Sequence, residues 1–464
     1  MSIDVPDMAT LLRFVPTAQY GDTIDTTRRC DVPAPFTPAD TAPRGGALHL
    51  SSVLPALSAA IGAPTATAVH ERPAELVAAL GIPAARSAIV VLVDGLGFWN
   101  LKMSLGHTPY LRALLHDAAN DRPISTCSPS TTTAAMATFG TGTCPGRTSM
   151  TGYTQRNPLT DEICQLIQFR GAPHPEELQH VETVFEKLAA QGVRVTSVGL
   201  TRFMASPLTR AALRGAHYIG KDDPLARIRA AADSAKDPGL TYLYLRDVDK
   251  IGHAEGWLSE QWTTTLERID GQLETLRRFA PRGTAIVVIA DHGMVAVDPE
   301  RQIDVAAEPQ LLDGVRMIGG EPRSVMVYAD DGADVDMLAA RWRTRLDGIA
   351  WVRTKDEAID AGFYGPVSEE TRQVLGDLIV EASDDVTIVD SRTQTELAMG
   401  MPGVHGSQTM LEMDIPCIGD MVGKQEPRFG CAFGLPAAWS GSATPSGCRT
   451  GSHPSWGPGD GGGR

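Results

Sequence analysis

The stretch AIVVIADHGM (Ala285–Met294) sets an acid and an imidazole, Asp291 and His292, directly after a run of β-branched residues. Such a run reads as a strand buried on both faces. Ionisable groups at its tip are costly unless paired or metal-bound, so their presence predicts a cation. The chain repeats the arrangement upstream, where AIVVLVDG (Ala88–Gly95) ends in Asp94. Two buried strands that each finish on an acid predict a shared cation site at one edge of a parallel sheet. In LTYLYLRDVDKIGHAEG (Leu240–Gly256), Asp249 and His253 stand four residues apart. On a helical turn that spacing puts both side chains on one face, able to hold one ion, and leaves Asp247 as a supporting acid or surface group. His405, in the loop segment GVHGSQTMLEMDIPCI, is a weak signal alone and gains value only if the other ligands want a further one.

A nucleophile is expected in STCSPSTTTAAMATFGTG (Ser125–Gly142), where a hydroxyl cluster precedes a helix of small residues. Backbone N–H groups and the dipole at a helix N-terminus favour a phosphate oxyanion. Ser130 or Thr131 also reads simply as a helix cap. A threonine in a metal-lined cleft can lose its proton by coordination and attack phosphorus.

These groups need a scaffold. Strands are expected at 88–93, 193–199, 240–246, 285–290 and 324–329, and helices at 108–118, 131–139, 176–191, 223–235, 259–279, 333–345 and 367–378. The alternation predicts an α/β three-layer sandwich, a mostly parallel central sheet with helices on both faces. Ligands in such sheets sit beyond the carboxyl ends of the strands, where Asp94 and Asp291-His292 fall. Residues 1–84 read as an irregular lead-in packed on the core, 85–423 as the catalytic domain with a small cap insertion within 151–233, and 424–464 as a disordered Gly/Ser/Pro-rich tail.

Composition narrows the partners. A formal net charge of −15 with no cluster of Lys and Arg argues against a nucleic-acid polymer. Seven dispersed cysteines without a Cys-x-x-Cys pair predict reduced thiols and a cytoplasmic location, and the N-terminal residues lack a secretory pattern. No apolar run is long enough to span a membrane. Gly95-Leu96-Gly97 after the first strand is not a dinucleotide fingerprint, because Asn100 takes the third glycine position. Phe98 and Trp99 are expected in the core rather than stacked on a base.

Taken together, VDG at 93–95, PSTT at 129–132, TG at 141–142, DxxxH at 249–253, ADHGM at 290–294 and GVHGS at 403–407 resemble the alkaline phosphatase superfamily, closest to its type I phosphodiesterase/nucleotide pyrophosphatase branch. The resemblance spans roughly residues 85–420 and implies an alkaline phosphatase-like fold with two divalent metal sites. It implies Asp249, His253 and His405 on one metal, and Asp94, Asp291, His292 and the Thr132 hydroxyl on the other. It also implies Thr132 as nucleophile, since the family's nucleophile lies three residues after the proline and nine before the Thr-Gly pair. Cys127-Ser128-Pro129-Ser130-Thr131 lacks the arginine of the sulfatase motif, which argues against a sulfatase. Mixed N/O ligation without thiolate favours Zn2+ over Mn2+ or Fe. Two cations against three carboxylates leave the site at about +1, enough to draw a phosphate anion into an acidic protein.

The resulting expectation is a two-metal hydrolase of phosphodiester or pyrophosphate bonds, acting on a small phosphate ester or nucleotide-like molecule through a covalent phosphothreonine. A phosphomonoesterase or phosphonate hydrolase is the alternative, and a non-catalytic anion-binding protein the lesser one. Arg147, Arg202 and Arg246 have no orientation assignable from sequence, so the extra cation that a monoester dianion calls for has no candidate.

Overall fold

The computed structural model describes residues 4–423. Six strands form the central sheet: β1 (Ser87–Val93), β2 (Val195–Gly199), β3 (His217–Gly220), β4 (Gly239–Leu245), β5 (Thr284–Ile289) and β6 (Cys417–Met421). Their order is β6-β5-β1-β4-β2-β3, with β6 antiparallel to β5 and every other neighbour parallel. All residues of β1 and β5 are buried, as their β-branched composition demands. Register does the positioning. Val93 pairs with Leu245 and Leu92 with Ile289, so β1, β4 and β5 finish side by side. Asp94, Asp249 and Asp291 therefore leave the sheet at one edge.

Helices cover the sheet. Helix Glu260–Phe279 buries Trp262, Leu266, Ile269, Leu273 and Leu276 along one stripe, started by the Ser259 hydroxyl accepting from Trp262 N–H. Helix Thr132–Thr141 is nearly all small residues and is buried from Thr133 onward. The lead-in contributes helices Val53–Ala60 and Pro73–Leu80, whose Val53, Leu54, Leu57 and Leu76 join the same core as β1. It also clips onto the far end of the chain, with Val15 N–H donating to Gln408 O at 3.0 Å and Met410 N–H to Arg13 O at 3.0 Å.

A second, antiparallel sheet was not anticipated. Strands Val315–Glu321, Ser324–Ala329, Leu378–Ala382 and Ala350–Thr354 lie in that order. Helix Val335–Arg345 seals one face through Trp342 and Leu338, and Phe363, Tyr364 and Leu375 cover the other. Only Ser324–Ala329 was expected as a strand. Arg353 and Glu381 interrupt the apolar pattern of two others and are nevertheless buried, at 2% and 0% exposure. The expected helix 367–378 is Glu369–Val374, and its last residue already belongs to a strand.

The expectation of a small cap falls on residues 151–233. Within 151–233, β2 and β3 belong to the central sheet, and only the hairpin Thr154–Asn157/Glu162–Gln165 stands apart, packed on the second sheet through Thr154 Oγ1 donating to Gly320 O at 2.8 Å. The expected helix 176–191 is two helices, Pro175–Leu178 and Val184–Ala190. Gln179 turns its amide onto Val181 and Ala211, and Thr183 with Glu186 forms a capping box that starts the second helix afresh. The expected helix 108–118 shortens to Pro109–Leu114. Expectations for 424–464 lie outside the described residues.

Candidate metal centre and nucleophile

Asp94 follows β1, and its N–H donates to Leu245 O of β4 at 3.0 Å, which ties the two strand ends together. Gly95 then turns with φ +73°, a left-handed conformation that glycine adopts without strain. Its N–H donates to Asp291 Oδ1 at 3.0 Å, while a Cβ at this position would stand 2.9 Å from Asp249 Cβ. One glycine thus touches both acids that flank Asp94. Asp249 and His253 lie on helix Asp247–Glu255, whose Asp249 N–H donates to Asp94 O at 3.1 Å.

Two groups of side chains result. Asp94, Asp291 and His292 form one and Asp249, His253 and His405 the other, with the ligand atoms of each within 4.8 Å of one another. The groups adjoin, since the His292 and His405 rings stack with centroids 3.5 Å apart. His292 Nε2 stands 3.6 Å from Asp94 Oδ1 and 3.5 Å from Asp291 Oδ2. His253 Nε2 and His405 Nε2 stand 3.2 and 3.8 Å from Asp249 Oδ1. Thr132 opens helix Thr132–Thr141, and its Oγ1 lies 3.2 Å from His292 Nε2. All seven residues singled out from the sequence meet here.

The donor set fits a pair of cations. Each imidazole engages a backbone carbonyl through Nδ1: His253 with Gly403 O at 2.7 Å, His292 with Gly293 O at 3.0 Å, and His405 with Ser130 O at 2.9 Å. That anchors each ring with Nε2 turned to the cluster, the usual outer support of a metal-bound histidine. Asp94 Oδ1, Asp249 Oδ1 and Asp291 Oδ2 are buried and accept no hydrogen bond. Among the described residues no lysine or arginine pairs with these acids. Three clustered carboxylates without a lysine or arginine are an unfavourable arrangement that divalent ions resolve.

Protonation follows the same logic. Burial, then the charges of Asp291 and Asp249, hold the Asp94 carboxyl well above the usual range. Burial likewise opposes ionisation of Asp249, but the neighbouring His253 overcomes it and lowers its pKa. Burial opposes the charged form of His253 too, yet Asp249 lifts it to about 9. Burial, then His292 and His253, keeps His405 well below its ordinary value and neutral.

Several contributors had no signal in the sequence. Tyr244, near the end of β4, donates its hydroxyl to Asp94 Oδ2. Asn100 binds both N–H and C=O of Met294, behind His292. Ser130, expected as a candidate cap, is not the N-cap residue of the helix. Its hydroxyl donates to Ser407 O at 2.7 Å and its N–H to Gly406 O at 3.0 Å, strapping the threonine loop to the His405 loop. Thr131 is the N-cap residue of the helix but makes no side-chain cap bond. Phe98 and Trp99 are buried, with Trp99 Nε1 donating to Asp414 at 2.7 Å. Arg147 is exposed, and Arg202 lies over the Phe203 ring.

Comparison with known proteins agrees with this geometry. The profile described as Type I phosphodiesterase / nucleotide pyrophosphatase matches residues 88–408. No curated protein matches the chain. A solved structure of murine ectonucleotide pyrophosphatase/phosphodiesterase 5, an inactive variant in complex with AMP, aligns with a TM-score of 0.56 at 14% identity, covering 71% of this chain and 87% of that one. The human protein aligns with a TM-score of 0.56 at 15% identity, covering 72% and 87%. Phosphonoacetate hydrolase from Sinorhizobium meliloti 1021, in complex with phosphonoformate, aligns with a TM-score of 0.57 at 21% identity, covering 75% and 93%. At these identities the likeness is one of fold. The expectation of a cytoplasmic location is corrected: the solved structures with this fold include proteins named ectonucleotide pyrophosphatase/phosphodiesterase. Dispersed thiols bear on disulfide pairing and not on compartment. No helix among the described residues is long and apolar enough to cross a membrane.

Proposed function

The chain belongs to the type I phosphodiesterase/nucleotide pyrophosphatase family, and from that premise we propose that it hydrolyses phosphodiester or pyrophosphate bonds of a small, nucleotide-like substrate through a phosphothreonine on Thr132. The observation that carries this reading is Thr132 Oγ1, 3.2 Å from His292 Nε2, at the first turn of a buried helix beside two groups of carboxylates and imidazoles. The catalytic unit spans residues 85–423, with the antiparallel sheet as its insertion.

In this reading Asp249, His253 and His405 hold one metal, and Asp94, Asp291, His292 and the Thr132 hydroxyl hold the other. Mixed nitrogen and oxygen donors without thiolate favour zinc, with manganese and iron as the alternatives. When bound, such a pair supplies Lewis acidity, lowering the pKa of the hydroxyl and water oxygens it touches and neutralising phosphoryl charge. The chain supplies the rest. Thr132 presents its hydroxyl from a helix N-terminus, where backbone N–H groups and the dipole stabilise phosphoryl oxygens. Attack forms the Oγ1–P bond and releases the alcohol or phosphate leaving group; water then cleaves the phosphothreonine and returns the hydroxyl. The three backbone-anchored imidazoles keep the ligand atoms in place through both steps.

The lack, among the described residues, of a lysine or arginine paired with the cluster supports diesters over monoester dianions. The fold shared with a phosphonoacetate hydrolase favours phosphonate-bond cleavage as the second reading. Thr132→Ala should retain both metals and lose at least about 10³-fold in turnover of bis(4-nitrophenyl) phosphate. The wild-type enzyme should prefer this diester to 4-nitrophenyl phosphate and to phosphonoacetate. Wild-type turnover in Thr132→Ala would refute the nucleophile, and faster phosphonoacetate hydrolysis would favour the second reading.

A further inference from the structure

The loop that carries His405 ends in a short helix, Met410–Met413, whose Glu412 is fully buried. Its carboxylate is saturated. Oε1 accepts Ser407 N–H at 3.0 Å and Arg323 Nε at 2.7 Å, and Oε2 accepts Thr409 Oγ1 at 2.6 Å and Arg323 Nη2 at 2.9 Å. The backbone oxygen of the same residue accepts Gly293 N–H at 2.9 Å. Glu412 therefore reaches the loop of His405 with its side chain and the residue after His292 with its main chain.

Arg323 lies between strands Val315–Glu321 and Ser324–Ala329 of the insertion sheet, also fully buried. Its remaining donors go to Val386 O at 2.8 Å and Ala382 O at 3.3 Å. Ser407 is held from three sides: its hydroxyl donates to Ala382 O at 2.7 Å, its carbonyl accepts from Ser130, and its N–H meets Glu412. A planar guanidinium gripping a carboxylate through two bonds fixes orientation as well as distance.

We propose that Glu412 is a positioning residue for the metal centre, locked by Arg323, and that the insertion sheet sets the place of His405 through this pair. The inference rests on the ligand assignment above. Deleting the side-chain bonds loosens Ser407 and with it His405, while the main-chain bond to Gly293 survives. The metal site of Asp249, His253 and His405 should suffer first.

The test is zinc titration of metal-free protein, read by calorimetry, alongside unfolding midpoints and steady-state kinetics. Glu412→Gln should weaken one of two zinc sites by about 10- to 100-fold, the range for outer-shell partners of metal ligands, and leave the other near wild type. Its kcat should fall with little change in KM. Thr409→Val removes a single bond to Oε2, keeps the side-chain shape, and should weaken the same site by a few-fold at an unaltered unfolding midpoint. Arg323→Lys, which keeps charge but loses the fork, should fall between them. Wild-type affinity at both sites in Thr409→Val and Arg323→Lys would overturn the positioning role alone. A wild-type protein that takes up no zinc, manganese or iron would overturn the ligand assignment and this proposal with it.

Discussion

Gly95→Ala isolates the geometry of the centre better than removal of any ligand. The residue sits at φ +73°, where a side chain costs about 1–2 kcal/mol. The new methyl would stand 2.9 Å from Asp249 Cβ, 3.0 Å from its Cα and 3.3 Å from Oδ1. Ordinary carbon contacts begin near ~3.5 Å, so Asp249 has to retreat by somewhat under about 1 Å. It cannot retreat freely, because its N–H is bonded to Asp94 O at 3.1 Å. Overpacking of this kind adds roughly 1–3 kcal/mol, for a total destabilisation of about 2–5 kcal/mol. Displacement of a metal ligand by about 1 Å costs on the order of 10²-fold in rate. Urea unfolding, zinc titration of the metal-free protein and diester turnover read the three effects separately. Asp291 meets Gly95 only through the backbone N–H, so its site should be retained. A Gly95→Ala protein with two wild-type zinc sites and undiminished turnover would refute the claim that this glycine spaces the two groups.

Chelation should lower both activity and the unfolding midpoint, since it strips the counter-charge from three buried acids; ligand at about 1,000 times its dissociation constant contributes roughly 4 kcal/mol. A midpoint indifferent to chelator and to added zinc would contradict the fit of this donor set. Acid should destabilise the protein through His49, which burial, reinforced by His70, pushes down from 6.5 to about 3. Its contribution is complete above the unfolded pKa and is lost as pH falls through that window, at about 1.4 kcal/mol per pH unit. Denaturation of wild type and His49→Gln near pH 7 and pH 5 should show a difference that shrinks in acid, and a constant difference would negate the linkage. Glu381 has the opposite sign: burial, against the pull of Arg353, raises it from 4.5 to about 8, so its contribution is lost as pH rises between those values. Glu381→Gln should flatten that decline, and an unchanged alkaline limb would show that the carboxyl is ionised in the folded state.

Much of the centre was legible because its signals are local. An apolar run that ends in an acid declares both a buried strand and its chemistry, and β1 and β5 lie within a residue of their expected bounds. Asp249 and His253 share a helix whose spacing can be counted along the chain. His405 was different in kind. Nothing near it marks it as a ligand, and only the motif order attached it to the others.

The sequence by itself determined which segments are buried strands, where their acids fall, and that a hydroxyl cluster precedes a helix, because each depends on residues a few positions apart. Tertiary structure alone decided that a second, antiparallel sheet forms, that Gly95 separates Asp249 from Asp291, and that Arg323 grips Glu412 across 89 residues. A charge inside a strand or loop looks like a surface residue until its partner is known. That partner is chosen by the way the chain returns on itself, since burying either charge alone costs more than the fold can sustain.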